Sequence, residues 1–151
     1  MDTKKSIRKM IELSIEKLSL MRKKSKVLSE EVRATQEESV EHLDAIDQMK
    51  HVLEDKLLQL DIEFLKFYGN VLEREGISDL SDMDIEDRLT VRDLQTVVGK
   101  IQEVESRVLT TEQEVVNLRQ EHERTLGPKR RLKKMGGQAS MAYNRQKQVS
   151  R

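Results

Sequence analysis

Apolar residues in the first part of the chain recur at alternating intervals of four and three, at Ile7, Ile11, Ser14, Leu18, Met21, Ser25, Leu28 and Val32. This is the spacing of a heptad seam, which a helix turns into a single stripe facing a partner helix. Six of the eight positions are apolar. A second seam passes through Leu43, Ile46, Lys50, Leu53, Leu57, Leu60, Phe64, Phe67 and Val71, with Lys50 as its only polar interruption. A third passes through Leu94, Val97, Ile101, Val104, Val108, Thr111, Val115, Leu118 and His122. Every apolar run fits a helical period better than the alternation of a strand. The pattern predicts an all-α chain: an antiparallel coiled-coil hairpin of two long helices with a third long helix packed along it.

The boundaries follow from breaks in the pattern. Carried forward, the first seam would turn His42, Met49, Lys56 and Glu63 inward, so its phase slips between Val32 and Leu43. In that gap Thr35 with Glu38 has the form of a capping box, and Ser39 is a second N-cap candidate. A short turn at residues 34–39 forces the first two helices back on one another. Gly76 stands where a C-capping glycine belongs, and residues 78–87 are rich in Ser and Asp, good N-cap chemistry. Gly127-Pro128 is expected to close the third helix, because proline lacks the backbone donor and disfavours helix in the residue before it. The expected helices cover about 3–34, 39–75 and 84–126. They form a three-helix coiled-coil domain over 1–126, followed by a basic, flexible tail at 127–151. Helices of this length span roughly 50 to 60 Å at 1.5 Å per residue.

Composition narrows the function. Aromatic residues are only 3% of the chain and charged residues 37%, too little bulk for a compact globular core without strict periodicity. Three of the four aromatics, Phe64, Phe67 and Tyr68, cluster late in the second seam and read as its core plug, with the Tyr68 hydroxyl turned outward. With no cysteine, disulfides and thiolate metal sites play no part, which fits a cytoplasmic protein. Residues 1–24 hold no apolar run of signal-peptide length, and no stretch approaches the roughly 18 apolar residues of a membrane span. The net charge of zero hides an asymmetry: residues 124–151 carry nine Lys or Arg and no Asp or Glu, so residues 1–123 carry nine net negative charges.

Enzymatic signals fail one by one. His42, His51 and His122 lack metal-ligand spacing. Asp82-Met83-Asp84-Ile85-Glu86 opens like a calcium loop, but Asp87 replaces the required glycine and Asp93 the closing glutamate. Gly136-Gly137 lacks a phosphate-loop consensus. The reading is therefore no enzyme, no cofactor, no metal and no small-molecule substrate.

Binding chemistry is more legible. The third helix has doubled apolar positions at Val97-Val98, Val108-Leu109 and Val115-Val116, a stripe wider than a two-stranded seam needs. Either both flanks pack on the hairpin or one forms an open groove for a partner helix. The tail combines Lys129-Arg130-Arg131 and Lys133-Lys134 with Leu132, Met135, Met141 and Tyr143, residues suited to a segment that orders on contact. The candidate protein-binding residues are Val98, Val108, Leu109, Val115, Val116, Leu118, Leu126, Leu132, Met135, Met141 and Tyr143. The basic run 129–134 also has the look of a nucleic-acid patch, without the aromatic interleaving that would make nucleic acid the expected partner.

Taken together, a hairpin of long helices, the segment 40–68 (VEHLDAIDQMKHVLEDKLLQLDIEFLKFY) and the Gly-x-x-Ala-x-x-Ala-Tyr-Asn ending at 136–144 resemble the FlgN-like flagellar export chaperones, in the divergent form of Gram-positive anaerobes. Leu60-Asp61 with Phe64, and Ala142-Tyr143-Asn144, are the more specific parts. The resemblance spans nearly the whole chain, and the basic run 129–134 departs from it. It implies a cytoplasmic chaperone that binds the helical C-terminal region of hook-filament junction proteins, or another flagellar axial protein, and delivers it to the type III export gate. It further implies cargo contacts at Val108, Val115, Val116, Leu118 and Leu126, and docking through Tyr143. The alternative is a coiled-coil scaffold or tether that binds nucleic acid or an anionic surface through the basic tail.

Overall fold

The computed structural model describes residues 2–83 and 88–133, and the side chains of all of these except 88–90 and 125–133. The described residues form three long helices, α1 (Thr3–Gln36), α2 (Val40–Glu75) and α3 (Arg88–Lys133), with a 3-10 turn at Leu80–Asp82 between the last two. The described residues contain no strand. The chain divides into two compact units, Met1–Val115 and Val116–Arg151. The first holds α1, α2 and the larger part of α3; the second begins within α3.

Asp2 opens α1, its carboxylate accepting the Lys5 amide at 2.8 Å. This bond, more than the cationic Lys5 and Arg74 side chains, holds the Asp2 carboxyl below the usual carboxylate range. The reversal between α1 and α2 is not the expected capping box. Thr35 lies inside α1, where its hydroxyl donates to the Glu31 carbonyl at 2.7 Å, the i−4 back-bond by which a helical Thr satisfies itself locally. Glu38 makes the turn instead. Its φ is 58°, its amide donates to the Thr35 carbonyl, and the Ser39 amide donates to the Ala34 carbonyl. That pair of bonds around a left-handed residue is the Schellman motif. Gly76 closes α2 in the same way, with φ 61° and the Ile77 amide donating to the Leu72 carbonyl. Ser39 takes the N-cap position of α2 without a side-chain bond.

The hairpin is antiparallel and held by polar contacts along its length. The Thr3 hydroxyl donates to the Glu75 carboxylate, Asn70 Nδ2 donates to Ser6 Oγ at 2.9 Å, and the Lys17 amine lies 2.8 Å from the Asp61 carboxylate. Nearer the turn, Lys50 Nζ donates to the fully buried Glu31 carboxylate at 3.0 Å. Lys50 thus interrupts the second seam as the partner of a buried carboxylate. Lys17 also reaches Glu105 at 3.6 Å, and Lys24 reaches Glu112 at 3.2 Å, so α3 runs parallel to α1 within the first unit.

Two apolar clusters fill the first unit. One gathers Leu18, Leu20, Met21 and Leu28 of α1 with Leu53 and Leu57 of α2 and Ile101, Val104 and Val108 of α3. The other gathers Ile7, Met10, Val71, Met83, Val91 and Leu94, with Phe64, Phe67 and Tyr68 packed against it. Phe64 and Tyr68 are stacked at 6.3 Å, and both stay half-buried, so the aromatics line the core as expected.

The third helix passes the expected stop. It remains helical through Gly127 and Pro128 to Lys133, since a proline deletes one i→i−4 bond while the flanking turns keep theirs. The expected helical start at residue 84 and the Asp84 to Asp87 portion of the calcium-like segment lie outside the described residues, as does the tail from residue 134.

Candidate protein-docking face

The structure separates the residues expected to bind a partner. Val108 and Val115 are each only 3% exposed, so they anchor α3 in the first unit and offer no surface; this corrects their assignment as contact residues. Val98 is half-buried and packs against the second core cluster. Its doubling with Val97, which packs on the first cluster, therefore serves a helix that must cover two core clusters, and Val98 also lines a small cleft of about 200 Å³ with Leu13, Leu60, Phe64 and Ile101. Leu109 is 65% exposed, but it stands alone: Glu105, Ser106, Glu112 and Gln113, its neighbours one turn away, are polar. In the second unit Val116 and Leu118 are half-buried. The side chains of Leu126 and Leu132, and the whole of Met135, Met141 and Tyr143, lie outside the described residues.

Among the described residues the large exposed apolar side chains lie mostly on α2, with Ile15 of α1 and Leu109 of α3 apart from them. Leu58, Ile62 and Leu65 are 56%, 41% and 65% exposed, and their spacing of four and three puts them on one stripe of the helix face turned away from the core. Gly69 and the half-buried Leu72 continue the same spacing. Toward the N-terminus it continues through Asp55, His51, Gln48 and Asp44, all exposed. Helix α2 thus carries two seams. The inner one builds the bundle; the outer one is apolar over residues 58–72 and polar or acidic over residues 44–55.

Burying an aliphatic side chain of this size stabilises a complex by about 1.5 to 3 kcal/mol when burial starts from full exposure. For three that start half-exposed, roughly 1 kcal/mol each remains available to a partner. Gly69 adds a second mark. A glycine inside an exposed helix costs about 1 kcal/mol relative to alanine, and a Cβ placed there would meet no atom within 4 Å. The packing of the first unit therefore gives no reason for it. On the outer seam it leaves a gap in the ridge of side chains, where a partner's anchor or backbone can approach closely.

The same doubling that drew attention to the third helix is present in the second, at Val52-Leu53, Leu57-Leu58 and Phe64-Leu65. In each pair the second or first member belongs to the inner seam and its neighbour is left over. Val52, 53% exposed, flanks the outer seam.

A cleft of about 560 Å³ between α1 and α2 is lined by Lys9, Glu12, Leu13, Glu16, Glu63, Lys66, Phe67 and Asn70. Its walls are charged side chains of both signs, with only Leu13 and Phe67 apolar. Among the described residues no three His, Cys, Asp or Glu side chains are grouped to hold a metal ion.

Fold and surface together define a class: a three-helix coiled-coil bundle whose second helix carries a further heptad seam that no other described residue covers. Comparison with protein-family models, curated proteins and solved structures returns no significant match.

Proposed function

We propose that this chain is a non-enzymatic helix-docking protein of the cytoplasm, acting as an export chaperone that covers the helical C-terminal region of a flagellar hook-filament junction protein. The observation that carries the docking part is the outer seam of α2, three exposed aliphatic residues at coiled-coil spacing on a helix already fully used on its other face. A folded chain that keeps such a stripe in water has a use for it, because contiguous exposed apolar surface otherwise favours aggregation. An amphipathic segment laid on the stripe adds a strand to the bundle. The export role is what the resemblance of residues 40–68 and 136–144 implies. None of the helices within the described residues is long and apolar enough to cross a membrane.

The test is direct mixing of the purified full-length chain with purified C-terminal segments of hook-filament junction proteins, followed by size-exclusion chromatography at low and high salt. Co-elution that survives high salt and is lost in Leu58→Glu/Leu65→Glu supports the reading, because apolar burial resists screening. Binding of nucleic acid alone, falling steeply with salt, would replace it with the tail-tether alternative.

A further inference from the structure

We infer that the occupant of the outer α2 seam is a cationic amphipathic helix, running antiparallel to α2, with aliphatic anchors over residues 58–72 and Lys or Arg over residues 44–55. This rests on the docking reading above and names the chemistry of the partner.

The argument begins with charge. In the polar half, seam positions Asp44 and Asp55 are exposed acids, while Asp47 and Glu54, which flank the seam on one side, already have partners within the chain. Glu54 is engaged by Lys24 at 4.0 Å from within the bundle. Across residues 44–55 the cation of α2 is Lys50, and it is turned inward onto Glu31. An occupant spanning the whole seam meets aliphatic side chains at one end and carboxylates at the other. Lysine and arginine answer the second end, and their long stems also cover apolar surface.

The outer seam of a second copy does not fit. Parallel pairing through the outer seam would set Asp44 against Asp44 and Asp55 against Asp55, like charges in contact. Antiparallel pairing centred on Leu58 would lay the Asp44 to Asp55 half against Ile62 to Leu72, burying carboxylates on apolar side chains without partners. The orientation of a foreign helix follows from its dipole. Cations are favoured in its last turns, and these lie over residues 44–55 only if it runs antiparallel to α2. The gap at Gly69 then accepts a large anchor from the occupant's N-terminal half.

The probe is a fluorescent synthetic helical peptide long enough to cover residues 44–72, about 40 Å. Leucines occupy its heptad positions in the N-terminal half and lysines those in the C-terminal half. One comparison peptide carries glutamates in place of the lysines, and another has the two halves exchanged. Binding to the full-length protein is read by anisotropy. The lysine peptide should bind roughly five- to tenfold more tightly than either comparison, the range set by a few solvent-exposed charge pairs. Asp44→Lys/Asp55→Lys should reverse the preference between lysine and glutamate peptides. Leu65→Glu should abolish binding of all three. Gly69→Gln should weaken binding about tenfold while raising the unfolding midpoint, a combination that a folding defect cannot produce. Equal binding of lysine and glutamate peptides, or a preference unchanged by Asp44→Lys/Asp55→Lys, overturns the inference. If hook-junction segments bind this seam without any such charge preference, the inference falls and the chaperone reading stands. If the lysine peptide binds as described and the flagellar segments do not, the inference stands and the export assignment falls.

Discussion

Two chain reversals in this protein use one motif with different residues at its left-handed position, and the difference is measurable. At the end of α2 the position is Gly76, φ 61°; at the end of α1 it is Glu38, φ 58°. A residue with a Cβ spends about 1 to 2 kcal/mol to sit in the left-handed region. Replacing it with glycine removes that strain but enlarges the unfolded ensemble, at a cost of about 0.5 to 1 kcal/mol. The net expectation for Glu38→Gly is a gain of about 0.5 to 1 kcal/mol. Gly76→Ala brings in the strain and should lose about 1 kcal/mol. Equilibrium urea unfolding followed by circular dichroism reads both. With a slope near 2 kcal/mol per molar, Glu38→Gly should move the midpoint up by about 0.3 M with the slope unchanged. Glu38→Asn, which tolerates this conformation better than Glu, should fall between glycine and wild type. A lowered midpoint for Glu38→Gly alongside a lowered one for Gly76→Ala would refute the strain argument and show that the Glu38 side chain contributes more than its backbone costs.

Other perturbations test the polar framework. Lys50→Met strands the buried Glu31 carboxylate and should cost roughly 2 to 4 kcal/mol, whereas Glu31→Leu/Lys50→Leu should come within about 1 kcal/mol of wild type; equal losses in both would mean that the pair itself is the stabilising element. A double-mutant cycle on Lys17 and Glu105, partly exposed and 3.6 Å apart, should give a coupling below about 1 kcal/mol that shrinks with salt. A salt-independent coupling would contradict the surface assignment. The Asp2 cap is pH-dependent in a defined direction. Because its folded pKa is lowered, its contribution is complete above the unfolded carboxylate pKa and is lost as pH falls through the lowered folded value. A carboxyl-carbon NMR titration should place the Asp2 midpoint below that of a free aspartate, and a midpoint at or above the free value would remove the cap from the account of α1.

The seams of α2 and α3 were legible because they are apolar and singly periodic, and nearly every residue assigned to them is buried or half-buried. One of the two seams of α1 was not. Besides Ile7 to Val32, the helix turns a second heptad series inward, Thr3, Ser6, Met10, Leu13, Lys17, Leu20, Lys24, Val27, Glu31 and Ala34, all buried or half-buried. Half of these positions are hydroxyl-bearing or charged, so a search for apolar recurrence passes over them. They are buried by pairing with α2 and α3: Thr3 with Glu75, Ser6 with Asn70, Lys17 with Asp61 and Glu105, Lys24 with Glu54 and Glu112, Glu31 with Lys50. The legible trace of this seam is charge at heptad spacing, at Lys17, Lys24 and Glu31.

The doubled apolar positions of the third helix are largely taken up by the core while the exposed apolar stripe lies on the second, for a reason tied to bundle geometry. A doubled apolar position marks a surplus only where the helix has one neighbour to satisfy. Val98 is taken up because α3 supplies residues to both core clusters, Leu94 to one and Ile101 to the other, and its stripe must be wide enough to reach them. Helix α2 meets the same two clusters with Leu53, Leu57 and Leu60 in one and Phe64, Phe67, Tyr68 and Val71 in the other, and these leave Leu58, Ile62 and Leu65 outside. Width therefore separates core from docking surface only after the neighbours of each helix are known. Charge supplies the missing discrimination: Lys50 of the inner α2 series, with Glu54 and Asp61 beside that series, meets Glu31, Lys24 and Lys17 with opposite sign, while the outer series presents Asp44 and Asp55 and, among the described residues, holds no Lys or Arg at its own positions. A seam whose charges are already answered within the bundle belongs to the fold, and one whose charges still face water points to a partner.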